Sequence, residues 1–293
     1  MSDTLQRFLF DKAPIRGASV QLGATWQAIL ERHTYPRPVQ DLLGEMMAAA
    51  ILLASTLKMK GKMSLQLQGD GPLKLMMVEC TDGHALRGIA QCDETVPEDL
   101  PLLIGNGRMV ITLEPIDSKE RYQSIVNLHG QSLADALTDY LIRSEQLETY
   151  LWLSADHKHS AGLLIQKLPA DWHDEDLALW EEVYHLSTTI KPEEMLNLPH
   201  QEIFHRLYHE EDIRIFEEEP VCFRCSCSRD RVANMLRTLG LDEVRDILRE
   251  QGSVRVACEF CNQKYEFDSV DTEQLFAADV PLDPSPGPGS TRH

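Results

Sequence analysis

Five of the seven cysteines of this 293-residue chain lie close together near its C-terminal end. Cys225-Ser226-Cys227 and Cys258-Glu259-Phe260-Cys261 are two closely spaced pairs, separated by the 30 residues 228–257. Two thiolate pairs at such a separation can converge on one tetrahedral Zn²⁺, an ion that accepts four sulfur ligands in a closed structural site. The spacing therefore predicts a zinc site in this part of the chain.

The fifth thiol, Cys222, leaves more than one ligand set possible. Cys222-Phe223-Arg224-Cys225 is a second Cys-x-x-Cys motif, which with Cys258 and Cys261 would make a zinc-ribbon-like set and leave Cys227 outside it. The separation between these two motifs is longer than the spacing usual in zinc ribbons. Cys222 could instead exchange into a mixed disulfide during oxidation.

Other chemistry has weaker support in the sequence. Cys258 follows an apolar strand and precedes another strand, so it lacks the helix N-terminus that lowers the pKa of a catalytic thiol in thioredoxin-like motifs. His205 and His209 lie four residues apart on a predicted helix but lack the His-Glu-x-x-His arrangement, which favours a plain helix surface. No Gly-x-Ser-x-Gly nucleophile motif occurs, and Cys80 and Cys92 are predicted to be small core residues. Nothing in the sequence argues for an enzyme.

Short elements between the cysteine pairs are suited to bringing them together. Ser228 can cap a helix through Leu239, Gly240 can end it, and Asp242 can cap a second helix that runs to Gln251. Two short strands after Gly252 then form a predicted hairpin with the Cys-x-x-Cys motif at its turn. These strands are Val254–Cys258 and Lys264–Phe267.

The N-terminal part mixes strand and helix patterns without a regular βα alternation, which predicts an α+β domain over residues 1–170. The predicted strands are Met63–Gln68, Leu73–Val78, Arg108–Leu113, Tyr122–Leu128, Tyr150–Ser154 and Leu163–Lys167, and the predicted helices are Pro38–Leu57 and Ser132–Ser144. Two glycine-rich pieces, Gly69-Asp70-Gly71 and Gly105-Asn106-Gly107, extend to no phosphate-binding motif. We therefore expect turns there.

An acidic stretch follows this domain. Residues 171–219 contain 15 Asp and Glu against 3 Lys and Arg, which is −12 of the total net charge of −19. The stretch predicts short helices interrupted by prolines, at Leu177–Leu186, Pro192–Asn197 and His200–His209. Helices of this length are unstable without packing. The stretch is therefore predicted to be a linker docked on a neighbouring surface.

The charge balance and the apolar runs bear on partners and location. A net charge of −19 repels phosphate backbones and anionic lipids, so we expect neither a nucleic-acid nor a membrane partner. The longest apolar run, Met46–Leu57, has 12 residues, whereas a spanning helix needs about 20. The N-terminus carries acidic residues and no signal-peptide pattern, which predicts a cytosolic protein whose cysteines are not structural disulfides.

Several segments carry a resemblance over most of the chain. Besides the Cys-x-Cys and Cys-x-x-Cys pairs at the end of an acidic chain of about 33 kDa, they are Gln66–Pro72, Gly105–Gly107, Glu120–Gln123, Arg143–Gln146 and Leu207–Glu211. Together these features resemble the heat shock protein 33 family of redox-regulated chaperones. The resemblance implies an α+β chaperone core over 1–170, an acidic helical linker over 171–221, a zinc-binding redox-switch domain over 222–276 and a disordered tail over 277–293.

The same resemblance implies a mechanism and a ligand set. It favours Cys225, Cys227, Cys258 and Cys261 as ligands of one Zn²⁺, and it implies an ATP-independent holdase that is dormant when reduced. On oxidation we expect the disulfides Cys225–Cys227 and Cys258–Cys261, loss of zinc, melting of the linker, binding of unfolding client proteins in the stressed cytoplasm, and a homodimer. Two alternatives remain, namely a constitutive zinc-ribbon interaction module and a thiol-disulfide oxidoreductase.

Overall fold

The computed structural model describes residues 3–58, 60–118, 120–128 and 132–277, and the chain divides into two compact units, Met1–Cys225 and Ser226–His293. The strands of the first unit are β1 (Thr4–Phe10), β2 (Ile15–Leu22), β3 (Gly61–Gln68), β4 (Leu73–Thr81), β5 (Ala85–Cys92), β6 (Arg108–Pro115), β7 (Tyr122–Asn127), β8 (Thr149–Ala155), β9 (Ser160–Lys167), β10 (Ile213–Ile215), β11 (Glu219–Pro220) and β12 (Cys222–Phe223). Its helices are α1 (Ala24–Leu30), α2 (Arg37–Thr56), α3 (Leu100–Ile104), α4 (Leu133–Arg143), α5 (Asp174–Thr188), α6 (Pro192–Asn197) and α7 (His200–Tyr208). The predicted α+β class is confirmed.

Two six-stranded sheets form the first unit. The first sheet has the order β10-β1-β2-β9-β8, with β11 also paired to β1, and the second has the order β12-β5-β4-β3-β6-β7. Neighbouring strands are antiparallel except β12, which runs parallel to β5. Both sheets therefore combine long antiparallel strands with very short strands contributed by residues 213–223.

Helix α2 is the centre of the main core, because it contacts strands of both sheets. Its run from Met46 to Leu52 is completely buried, and the small side chains of Ala48, Ala49 and Ala50 let the neighbouring strands approach. Gly44 serves the same purpose, since a Cβ there would lie 2.4 Å from the Cβ of Ala155 on β8. The helix is long and apolar enough to cross a membrane, but 67% of its most apolar window is buried inside the fold, as expected for a core helix.

The two glycine-rich pieces form turns that pack on each other, as the sequence predicts. Gly105 has φ +68°, which favours glycine, and Asp70 accepts hydrogen bonds from the backbone N of Asn106 at 2.7 Å and from its side-chain amide at 3.0 Å. The amide of Gly71 donates to the carbonyl of Ile104 at 2.9 Å. These glycines thus have a structural role in joining the loops before β4 and β6.

The acidic helices α5, α6 and α7 cover the face of the first sheet that α2 leaves open. They contribute a second buried cluster with side chains from β1, β2 and β9; its members include Phe8, Phe10, Ile15, Leu163, Trp180, Phe204 and Tyr208. The predicted docked helices are confirmed. The three acidic residues in the first turn of α5 also complement the positive end of the helix dipole.

The second unit contains α8 (Arg229–Leu239), α9 (Leu241–Gln251), the hairpin β13 (Val254–Ala257) and β14 (Lys264–Phe267), and α10 (Ser269–Ala277). Ser228 caps α8 as predicted, accepting from the amide of Arg231 at 3.2 Å. The predicted cap at Asp242 is wrong: Gly240, with φ +100°, is the N-cap of α9, and Asp242 lies inside its first turn. The predicted disordered tail lies outside the described residues, apart from Ala277, which ends α10.

A small core holds this unit together. Its buried side chains are Val232, Leu236, Val244, Val254, Phe267 and Leu275. So few apolar side chains give marginal stability, which in domains of this size is commonly supplemented by disulfides or a metal ion.

Candidate metal centre

Four cysteine sulfurs lie together in the described structure. The Sγ atoms of Cys225, Cys227, Cys258 and Cys261 are all within 4.8 Å of one another, and Cys227 Sγ lies 3.3 Å from Cys261 Sγ. A tetrahedral Zn²⁺ with Zn–S bonds of about 2.3 Å needs sulfur atoms roughly 3.8 Å apart. The donor set and its spacing fit such an ion, and we call these residues the four-cysteine group.

Each half of the group is positioned by the local fold. Cys225 follows β12, and Cys227 precedes the cap of α8. Cys258 and Cys261 flank the turn of the β13–β14 hairpin, where the amide of Cys258 donates to the carbonyl of Gln263 at 2.9 Å and Asn262 adopts φ +57°. The predicted hairpin with the Cys-x-x-Cys motif at its turn is confirmed.

Cys222 lies apart from this group. It is exposed on β12, where its amide donates to the carbonyl of His84 at 3.2 Å and it pairs in register with Ala85. The structure brings Cys225 and Cys227 to the Cys-x-x-Cys turn and leaves Cys222 on the surface. Its thiol is accessible for exchange with other thiols.

Two side chains outside the cysteine motifs contact the sulfurs. The hydroxyl of Tyr265 on β14 donates to Cys227 Sγ at 3.1 Å, and this hydrogen bond raises the pKa of Tyr265 to about 12. The guanidinium of Arg87 on β5 donates to Cys225 Sγ at 3.7 Å. Tyr265 lies four residues after Cys261 on a predicted strand, whereas no sequence signal relates Arg87 to a cysteine 138 positions later.

The remaining candidate residues have ordinary surroundings. Cys80 is buried, and burial raises the pKa of its thiol to about 12, while Cys92 is half-buried. His205 and His209 are exposed on and after α7, with ring centroids 5.7 Å apart, and neither belongs to a metal-binding cluster among the described residues. These observations agree with the predicted core and helix-surface roles.

A second candidate region is the interface of the acidic helices with the first sheet. The ring of Phe204 on α7 lies 4.6 Å from that of Phe8, and Tyr208 shares a hydrogen bond of 2.6 Å with Ser187. His200 is buried between two hydroxyls, with Nδ1 2.9 Å from Ser19 Oγ and Nε2 3.2 Å from Thr4 Oγ1. Burial lowers the pKa of His200 although the charge of a nearby glutamate opposes the change. The interface is thus apolar, with a few hydrogen bonds that fix the position of the helices on the sheet.

Comparison with known proteins places these features in a family. A family model described as Hsp33 protein matches residues 3–268. The chain is 47% identical to the 33 kDa chaperonin of Nitrosococcus oceani over 293 residues (99% of each chain) and 48% identical to that of Chromobacterium violaceum over 281 residues (95% of each). The crystal structure of the 33 kDa chaperonin from Thermotoga maritima shares its fold, with a TM-score of 0.79, 21% identity, and coverage of 95% of this chain and 100% of that chain.

Proposed function

This chain belongs to the heat shock protein 33 family of chaperones, and from that premise we propose that it is an ATP-independent holdase switched on by oxidation. The observation that carries the proposal is the four-cysteine group. Its first member, Cys225, follows the acidic helices α5 to α7 in the chain. The reduced form would hold one Zn²⁺ and keep the client-binding surface covered.

Zinc fits this role because of what it would contribute to folding. Bound by Cys225, Cys227, Cys258 and Cys261, the ion would supply about 10–16 kcal/mol of apparent folding free energy. A whole domain is typically stable by only about 5–15 kcal/mol. The small core of the second unit would therefore lose its folded structure when the ion leaves.

Oxidation provides the trigger, since a sulfur bonded to another sulfur is no longer a thiolate ligand. We propose the disulfides Cys225–Cys227 and Cys258–Cys261. Each pair gives two electrons to one molecule of peroxide, which takes up two protons and leaves as two molecules of water. The pairing follows from the family resemblance; with Cys227 Sγ only 3.3 Å from Cys261 Sγ, sulfur proximity alone does not select it.

Oxidation of the cysteines would affect the acidic helices through residues 213–225, which lie between α7 and Cys227. We call these residues the strap. Within the first unit, β10 and β11 of the strap pair with β1, and β12 pairs with β5, but each pairing spans only two or three residues. Cys225 is the last residue of the strap. When it is no longer fixed by zinc, these short strands lose the anchor at their end, and α7 loses the segment that follows it.

Release of the strap would destabilise the helices before it. Each of α5, α6 and α7 is too short to persist without packing, and the −12 charge of residues 171–219 favours their separation. Their departure would uncover the aromatic face of the first sheet, including Phe8 and Phe10. An exposed apolar face of this kind binds unfolded chains with little sequence preference, while the high negative charge keeps the complex in solution.

The remaining parts of the proposal concern partners and place. The clients are unfolding or aggregation-prone proteins of the cytoplasm, and the oxidised form is a homodimer. The protein is not an enzyme, and its net charge of −19 disfavours nucleic-acid and membrane partners.

Zinc release and chaperone activity should be measured on the same samples. The reduced protein is treated with peroxide, zinc is followed with a chromogenic chelator, and aggregation of a heat-unfolded client is recorded. We expect release of one zinc per chain together with suppression of aggregation, both reversed by dithiothreitol and zinc. A Cys92→Ser variant, which changes a half-buried thiol outside the four-cysteine group, should behave like the wild type.

Three outcomes would oppose the proposal. Zinc that resists peroxide, combined with selective binding of one protein, would indicate a constitutive interaction module. Turnover of a dithiol substrate would indicate an oxidoreductase. Zinc release without a gain in aggregation suppression would show that loss of zinc does not activate the chaperone, and it would refute the proposed redox switch.

A further inference from the structure

A row of alternating charges crosses the second sheet and ends at Cys225. Each member contacts the next, with 3.2 Å for the first two contacts, 3.1 Å for the third and 3.7 Å for the last; the members in order are Arg121, Glu114, Lys62, Glu79, Arg87 and Cys225. A thiolate at Cys225 continues the alternation with a negative charge. The row therefore connects Cys225 with charged side chains of the second sheet.

The strand register builds this row. Glu79 on β4 is the direct cross-strand partner of Arg87 on β5, and Lys62 on β3 is the partner of Glu114 on β6. Opposite charges in directly paired positions attract, and the Glu79 and Arg87 side chains are only 8% and 14% exposed, so water screens them weakly.

Arg87 is held in a fixed orientation. Its Nε and Nη2 both contact Oε2 of Glu79, while Nη1 donates to Cys225 Sγ. The backbone next to Cys225 is also held on β5, because the amide of Arg224 donates to the carbonyl of Leu86 at 2.9 Å. The planar guanidinium thus presents separate N–H donors, in a fixed geometry, to a carboxylate and a sulfur at once.

We propose that Arg87 is a positioning residue for the redox reaction of Cys225 and that it makes the reduced state harder to oxidise. A charge-assisted hydrogen bond to a thiolate is stronger than one to a neutral sulfur, so the contact stabilises the reduced form. This inference rests on the proposed function. Because Arg87 also fixes the end of the strap, it links the oxidation state of Cys225 to the position of β12.

The step can be written for glutathione disulfide as the oxidant. The thiolates of Cys225 and Cys227 form one S–S bond, and the two electrons they give up break the S–S bond of glutathione disulfide into two glutathione thiolates. Arg87 keeps its proton and charge throughout and afterwards faces a neutral sulfur. The ionic part of its contact with Cys225 is lost, while its ion pair with Glu79 remains.

Two variants separate this role from a general effect on folding. Arg87→Lys keeps the charge next to Glu79 but replaces the planar fork by one ammonium group. The double variant Glu79→Gln with Arg87→Met removes the buried carboxylate together with the arginine, so that Glu79 does not keep a buried charge paired with Lys62 alone. Arg121→Gln is the matched control, because it removes an exposed arginine from the opposite end of the same row.

The oxidation equilibrium of the zinc-loaded protein is measured in glutathione buffers, with each cysteine quantified by alkylation and peptide mass spectrometry. For the double variant we expect the equilibrium constant for the Cys225 pair to shift about tenfold toward the disulfide, which corresponds to about 1.4 kcal/mol. Arg87→Lys should shift it at least threefold, and Arg121→Gln should stay within twofold of the wild type.

Alkylation kinetics of the reduced protein provide a readout that a purely structural role would not change. We expect both Arg87 variants to raise the ratio of Cys225 to Cys258 labelling, with thermal unfolding of the reduced first unit unchanged for Arg87→Lys. If that variant keeps the wild-type equilibrium and labelling ratio, the role of Arg87 is refuted. If the wild type itself fails to lose zinc on oxidation, the proposed function fails instead.

Discussion

Removing the Phe204 ring should turn the reduced protein into an active chaperone without any oxidant. Phe204 on α7 is 1% exposed and packs against Phe8 at a ring-centroid distance of 4.6 Å. Truncation of a buried Phe to Ala costs about 3–5 kcal/mol. Because Phe204 lies on α7 and its contact with Phe8 joins α7 to the first sheet, this loss should fall mainly on the docking of the acidic helices. A loss of about 3–4 kcal/mol raises the population of the undocked state roughly 10²–10³-fold.

The assay compares reduced, zinc-loaded Phe204→Ala with the wild type. We expect it to suppress aggregation of a heat-unfolded client in the presence of dithiothreitol while still holding one zinc per chain. Tryptophan fluorescence should report undocking, since Trp180 is buried in the same cluster and its indole N–H donates to Glu148 at 2.8 Å. Leu177→Ala, which truncates an exposed side chain of α5, is the matched control and should leave the reduced protein inactive.

One result would refute this reasoning. If Phe204→Ala undocks the helices by fluorescence and protease sensitivity but stays inactive when reduced, the covered face of the first sheet is not the client-binding surface. If the helices stay docked, the energy assigned to the Phe204–Phe8 contact is too large.

Three further predictions concern the metal and two titrating side chains. Cys258→Ser should abolish stoichiometric zinc binding and reduce the helical circular dichroism of the second unit, whereas Cys222→Ser should retain one zinc per chain. Burial lowers the pKa of His200, so its contribution to helix docking is present above the unfolded-state pKa of about 6.5 and is lost as the pH falls through the folded-state pKa. Tryptophan fluorescence between pH 7.5 and 5 should show this loss of docking. In His200→Gln this pH dependence should be absent. Burial and then the charge of Asp41 raise the pKa of Glu45 to about 7, so its stabilising effect is lost as the pH rises through that value. In denaturant titrations, Glu45→Gln should therefore stabilise the protein by about 2 kcal/mol at pH 8 and by almost nothing near pH 4. The value at pH 8 is smaller than the full pKa shift implies, because the Glu45 side chain is only half-buried.

The sequence predicted those elements whose own residues carry a strong pattern. Helix α2 follows from its apolar run and from Pro36 and Pro38 at its start. The β13–β14 hairpin follows from the short strand patterns around the Cys-x-x-Cys turn. Strand β2 was not predicted because nearly all of its residues are buried, so the polar–apolar alternation of a half-exposed strand is absent.

The strap and the surroundings of the cysteines depend on contacts between distant parts of the chain. Strands of two or three residues, such as β11 and β12, have no periodicity, and they exist only because β1 and β5 offer free edges. The contact of Arg87 with Cys225 likewise depends on the register of β12 against β5. The cysteine spacing thus predicted a metal site, and the family resemblance favoured four of the five clustered cysteines, but neither could indicate the contact of Arg87 with Cys225.

Hydrogen exchange with mass spectrometry tests the central claim most directly, because it follows the linker and the core in the same sample. The reduced, zinc-loaded protein is compared with the peroxide-treated protein, using peptides that cover α5 to α7 and peptides that cover β3 and β4. We expect oxidation and zinc loss to remove most protection from the α5 to α7 peptides while β3 and β4 stay protected. Oxidised, zinc-free and chaperone-active protein with α5 to α7 still fully protected would contradict the account.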